Sequence, residues 1–368
     1  LDANTTGNYN IAMGSGALGA TTTGDLNVGI GQAALAANTT ASNNTAVGGD
    51  ALAANTTGGT NTALGAEALL RNTTGSDNTA VGVNPMTDNT TGTNNVAVGK
   101  RALKSNTTAS SNTAVGYHSL EENTTGENNA SLGATSLTAN TTGSSNTAIG
   151  MNALRDNTTA SNNTAVGLNS LLVNTTGATN TAVGGSAMSA NTTGGTNTAI
   201  GQSALGSNTT ASNNVAVGFN ALGANTTGGS NTAVGRLSLD ACTSGGNNVA
   251  LGDSAGGANT TGEKNTFLGK SAGAGVTTGG ENTLVGNSCA DDLVDGNTNT
   301  IIGYNMSMSN TGTDAAIAIG SDIAAPSSNK VRIGVANGLA ELTLDGSDTS
   351  WAASSDSRLK KDIADSTV

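Results

Sequence analysis

Aromatic side chains are almost missing from this chain. Phe, Tyr and Trp make up 2% of 368 residues. Such side chains dominate core packing, so no large globular core can be built here. Stability has to come from backbone ladders, stacked small aliphatics and association. Charge is also scarce, at 10% of residues with a net value of −12. That excludes the basic patches that nucleic-acid binding needs, so no nucleic-acid partner is expected. A single histidine and two cysteines leave little for a metal site or a catalytic triad, and neither metal nor cofactor is expected. No apolar run is long enough to span a membrane, and no signal peptide is visible. The chain begins at Leu1 rather than Met, so a natural N-terminus upstream is expected and secretion stays open.

What the chain does have is a repeat. Residues 38–54 read NTTASNNTAVGGDALAA, 55–71 read NTTGGTNTALGAEALLR, and 157–173 read NTTASNNTAVGLNSLLV. The period is 17 residues. Nineteen copies run without insertion or deletion, the first starting at Asn4 and the last at Asn310. Numbering the columns of the repeat from 1 to 17, column 11 is Gly in all 19 copies and column 10 is apolar in all 19. Column 7 is Asn in 18 of 19, and column 9 is Ala, Ser or Gly in 16. A fixed period of this kind signals a solenoid, and an apolar register that never slips argues against disorder. The predicted fold is all-β: a parallel β-roll or β-solenoid of 17-residue coils.

Columns 8 to 10 read as a β-branched, a small and an aliphatic residue, which suits a short strand. Alternation places columns 8 and 10 on one face and column 9 on the other. With 8 and 10 assigned to the coil interior, the near-constant Ala of column 9 needs a second cover. The simplest is the same strand of other chains around an axis, hence a homotrimer. Gly in column 11 ends the strand. Asn in column 7 suits either a turn or a stacked amide ladder. Leu or Met in column 15 is expected to seal the coil from a second strand.

The pattern loosens from the fifteenth copy. Column 15 becomes Gly256 and Gly273, column 9 becomes Phe267, Leu284 and Ile301, and a packing rearrangement is expected there. Asp291, Asp292 and Asp295 read as a solvated turn, because their spacing matches no calcium motif. Cys242 and Cys289 fall in different columns two layers apart, which makes an intrachain disulfide unexpected. Cys289 reads as a small core residue. After Pro326 the period fails. Val331, Ile333, Leu339, Leu342 and Leu344 then suggest short strands, with Trp351 as a plug.

Few side chains invite a binding role. His118 reads as an exposed loop residue. Column 12 holds scattered large residues, among them Tyr117, Phe219 and Tyr304. These three are the candidate binding residues, able to stack on a host-surface glycan or to pack between chains. NTT triplets give N-x-T sequons in most copies. They read as turn chemistry, or as dense glycosylation if the chain were a eukaryotic secreted protein.

The NTAVGxxAL repeats resemble those of long phage tail fibres and related bacterial surface proteins. They are also similar to the shorter repeats of trimeric autotransporter adhesin heads, which implies trimeric left-handed parallel β-rolls. The segment VRIG…WAASSDSRLKKDI resembles the start of the chaperone-of-endosialidase domain. That resemblance implies an intramolecular chaperone that trimerises a fibre and then cuts itself off between Ser355 and Asp356, with Lys360 assisting as base. Only about a dozen residues follow the implied cut, so the motif is expected to be inert here. The expected organisation is a roll over residues 1–326, a strand cap over 327–355 and the start of a truncated chaperone over 356–368. The expected role is a non-enzymatic shaft of a phage tail fibre or related injection-device fibre, on a virion tail or cell surface, contributing to attachment to a host protein or glycan. A bacterial trimeric adhesin passenger is the alternative. An ice-binding solenoid is a minor one, since the Thr-Thr columns 2 and 3 lie in a turn rather than on a flat strand.

Overall fold

The computed structural model describes residues 1–343 and the backbone of 352–353. Among the described residues there are 22 strands and no helix. The chain divides into two compact units, Leu1–Asn197 and Thr198–Val368. Each is a β-solenoid of 17-residue coils.

In the first unit, eleven three-residue strands run from β1 (Ile11–Met13) to β11 (Thr181–Val183). They pair in parallel at an offset of one coil, so that Thr45 faces Thr62, Ala46 faces Ala63 and Val47 faces Leu64. The second unit opens with β12 (Thr198–Ile200) and continues in parallel to β19 (Ile317–Ser321). One more parallel strand follows, β20 (Lys330–Val335), reached by a 14-residue step that sets Ile317 against Val331. The parallel stack thus outlasts the 17-residue period by one layer. β21 (Gly338–Thr343) then folds back antiparallel on β20, and β22 (Ala352–Ala353) pairs with β21. Trp351 and Leu344 lie outside the described residues.

Each coil carries one strand, not two. The expected second strand at column 15 is instead a turn in which columns 13 and 15 are left-handed, as at Asp50 (φ 59°) and Leu52 (φ 51°). Left-handed backbone is costly for residues with a Cβ. Here it lets successive peptides point alternately along the stack. Asp50 N–H donates to Gln32 O of the preceding coil, while Leu52 and Ala54 N–H donate to Ala68 O and Leu70 O of the following one. The turn is therefore a hydrogen-bonded ladder as well. Column 11 is closed to any side chain: at Gly99 (φ 133°) a Cβ would lie 2.5 Å from Gly116 O.

The faces are the reverse of those expected. Column 9 points into the coil: Ala46, Ala114 and Ala165 are fully buried within one chain. Columns 8 and 10 point outward. The reason is lumen size. In the first 14 coils one Leu or Met from column 15, packed with column 9 and column 14, fills the layer, as Leu52, Ala46 and Ala51 do. The near-constant Ala does report burial, but against the chain's own leucine rather than a neighbouring chain.

Two columns of buried asparagine hold the coils in register. Asn44 Nδ2 donates to Asn27 Oδ1 of the coil before (3.3 Å) and to Gly58 O of the coil after (3.0 Å). In column 1, Asn72 Nδ2 donates to Asn55 Oδ1 (2.8 Å) and to Gly75 O (2.9 Å). Column 7 is thus a ladder as well as the strand's start. Bonds that satisfy buried amides so fully both rigidify a fold and fix its register.

Candidate functional site

Ser355, Asp356 and Lys360 lie outside the described residues. The column-12 candidates sit in separate coils, so the structure assembles no common site from Tyr117, Phe219 and Tyr304. They are 51%, 49% and 57% exposed. What separates them is their support. Tyr117 lies against His118 with ring centroids 3.8 Å apart at 48°.

His118 is not a free loop residue. Its Nδ1 pairs with Glu121 Oε2, and Arg101 of the preceding coil reaches Glu121 Oε1 at 2.6 Å. Glu121 is buried, and its carboxylate is held between the Arg101 guanidinium and the His118 ring. Column 13 and column 16 therefore face each other across successive coils. That pairing was present in the sequence as Arg, His and Glu at those columns, but it becomes visible only once the turn geometry is known.

Beneath this cluster the lumen is polar. Ser119, Ser131 and Ser136 are buried, with Ser119 Oγ donating to Ser131 Oγ (2.8 Å) and Ser131 and Ser136 hydroxyls 2.6 Å apart. They also bond backbone carbonyls. These are satisfied interior hydroxyls, and His118 is turned away from them toward Glu121.

The remaining candidates carry no chemistry. Cys242 and Cys289 are free and buried. Burial pushes their thiols up, to about 11 and about 12, which suppresses the thiolate a nucleophile or metal ligand needs. Among the described residues no three His, Cys, Asp or Glu side chains gather as metal ligands. Asp292 instead accepts the Met308 N–H at 2.7 Å. Apart from the exposed Asn4, the sequon asparagines of column 1, such as Asn55 and Asn72, are buried with their amides bonded in the ladder. A folded coil offers them to no glycosyltransferase.

The outward strand face is distinctive in each unit. Columns 8 and 10 hold no charged residue in any of the 19 coils. Leu132 in the first unit is 49% exposed and Leu251 in the second 46%. Among the described residues no helix is long and apolar enough to cross a membrane. No protein-family model matches the chain, and neither a curated protein nor a solved structure matches it.

Proposed function

We propose that the chain is the structural shaft of a homotrimeric fibre, of a phage tail or related injection device, that contributes to host-cell attachment. The observation that carries this is the strand face. It is free of charge in every coil, with mostly Thr or Val in column 8 and Val, Ile or Leu in nearly all of column 10, in a chain of net charge −12. Parallel sheets are ordinarily covered on both faces, and an exposed apolar stripe of this regularity marks an association surface. Because each coil closes its own lumen, columns 8 and 10, not column 9, are the surface that lines the trimer axis.

Light scattering tests it. A mass near three times 35.4 kDa supports the trimeric shaft, and a stable 35.4 kDa species removes it.

A second reading has one observation in its favour. Column 8 sets Thr45, Thr62 and Thr79 side by side on the outward strand face. Outward threonines ranked along a parallel sheet suit adsorption to ice better than the turn threonines of columns 2 and 3. A monomer with thermal hysteresis would establish that reading in place of the shaft.

A further inference from the structure

Identical coils make departures informative, and in the first unit they gather in coils 6 to 8. Coil 6, residues 89–105, has three cations (Lys100, Arg101 and Lys104) and no acid, and no other coil has more than two cations. Coil 7 brings Tyr117, His118 and Glu121. Coil 8 has Ala130 in column 8, where every other coil has Thr, Val or Ile, and Ala134 in column 12. Inside, the same coils hold the serine cluster.

These departures fit together. Backbone bonds from His118 N–H to Lys100 O (3.0 Å) and from Thr135 N–H to Tyr117 O (2.8 Å) stack the column-12 residues of coils 6, 7 and 8 in order. Tyr117 thus stands between Lys100 and Ala134. Its ring is braced by His118, which Glu121 holds, which Arg101 holds in turn. On the coil-8 side, the column-12 neighbour of Tyr117 is Ala134, which carries only a methyl group. On the coil-6 side, Lys100 makes no ion pair among the described residues, so its charge is uncommitted.

We propose that Tyr117, with the small Ala134 on one side of it and the ammonium of Lys100 on the other, forms a binding site for an acidic saccharide. A pyranose ring lays its C–H face on the tyrosine, and its carboxylate meets Lys100. An aromatic ring fixed in place before binding loses little freedom when a ligand stacks on it. The hydroxyl of Tyr117 adds a polar handle at the rim. One supported, half-exposed ring with one uncommitted cation suits a single charged sugar ring. A nucleic acid needs several phosphate contacts, which the acidic chain does not offer. Phe219 and Tyr304 have the exposure but no ring partner among the described residues, which excludes them from the site. The inference goes beyond the shaft reading and uses side chains outside columns 8 and 10.

The full chain is titrated by saturation-transfer NMR with oligogalacturonate and oligosialate as acidic probes, and with a neutral galacto-oligosaccharide of equal length. At least one acidic probe is expected to bind more tightly than the neutral one. Tyr117→Ala should weaken that binding at least about tenfold, Tyr117→Phe should keep it, and Phe219→Ala should leave it unchanged. Lys100→Gln should abolish the preference for the acidic probe and most of its salt dependence. Each variant is checked for an unchanged melting temperature. No binding of either acidic probe, or binding indifferent to Tyr117→Ala, overturns the site. Equal binding of the neutral probe overturns its acidic assignment. The mass in solution is read on the same samples, so failure here with a trimer intact leaves the shaft reading standing.

Discussion

Cys242 occupies the rung of the column-1 ladder next to Asn225, and it leaves the Asn225 Oδ1 buried without a partner. Its thiol bonds Gly245 O instead, at 3.4 Å. Three buried side-chain atoms are unpartnered among the described residues: Thr21 Oγ1, Asn225 Oδ1 and Asn259 Oδ1. All three lie in or beside a rung where column 1 is not Asn, namely Thr21, Cys242 and Val276. Cys242→Asn should therefore reconnect the ladder, its amide donating to Asn225 Oδ1 and accepting from Asn259 Nδ2. A hydrogen bond to a buried unsatisfied group is worth about 1–3 kcal/mol. The expected outcome is a higher midpoint in denaturant at unchanged slope. An unchanged or lower midpoint would mean that water or local relaxation already serves Asn225.

The inverted strand faces predict opposite outcomes for neighbouring residues. Ala114→Glu places a carboxylate in the closed lumen, where an unpaired charge costs several kcal/mol, and should unfold the coil itself. Ala165→Glu should do the same. Val98→Glu lies on the outward face and should leave the circular dichroism spectrum unchanged while lowering the mass in solution. If Ala114→Glu folds normally but changes the mass, the lumen assignment is wrong.

Phe267 shows how the second unit repacks. Its ring is fully buried, and a Cβ at Gly256 would lie 2.5 Å from its Cδ2. Gly273 is blocked by the same ring from the other side. The lost leucines of column 15 and the gained phenylalanine of column 9 are one exchange of volume inside a single lumen. Phe267→Ala should cost about 3–5 kcal/mol. Gly273→Leu alone should also destabilise, and the double variant Phe267→Ala with Gly273→Leu should recover part of the loss. Simple additivity of the two in urea melts would show that the sites do not share a cavity.

The period, the solenoid class and the strand position were legible because column 11 is always Gly and column 10 always apolar. The direction of the faces was not. Ala in column 9 reports tight burial, but a sequence does not say whether a chain's own Leu52 or another chain supplies the cover. The cluster of Arg101, His118 and Glu121 was hidden for a related reason. Its members are 17 and 3 residues apart, and only the left-handed turn at columns 13 and 15 brings them together.

Glu341 ties the closing hairpin, and its behaviour with pH follows from its partners. It accepts from Lys330 Nζ at 2.7 Å and from Arg332 Nε at 3.0 Å, while Arg332 also bonds Ala324 O at 2.7 Å. The hydrogen bond from Lys330, then that from Arg332, holds the carboxyl below the usual glutamate range. A depressed folded pKa means that the unfolded hairpin binds a proton more readily than the folded one. The stabilisation is therefore complete above the unfolded value of about 4.3 and is lost as pH falls through the lower folded value. The pair is partly exposed, so salt weakens it as well. Amide protection factors over 330–343 should fall as pH drops below about 4.3, and should fall less in Glu341→Gln, which starts lower. If wild type and variant lose protection along the same pH course, the clasp does not hold β20 to β21, and the hairpin rests on its backbone pairing alone.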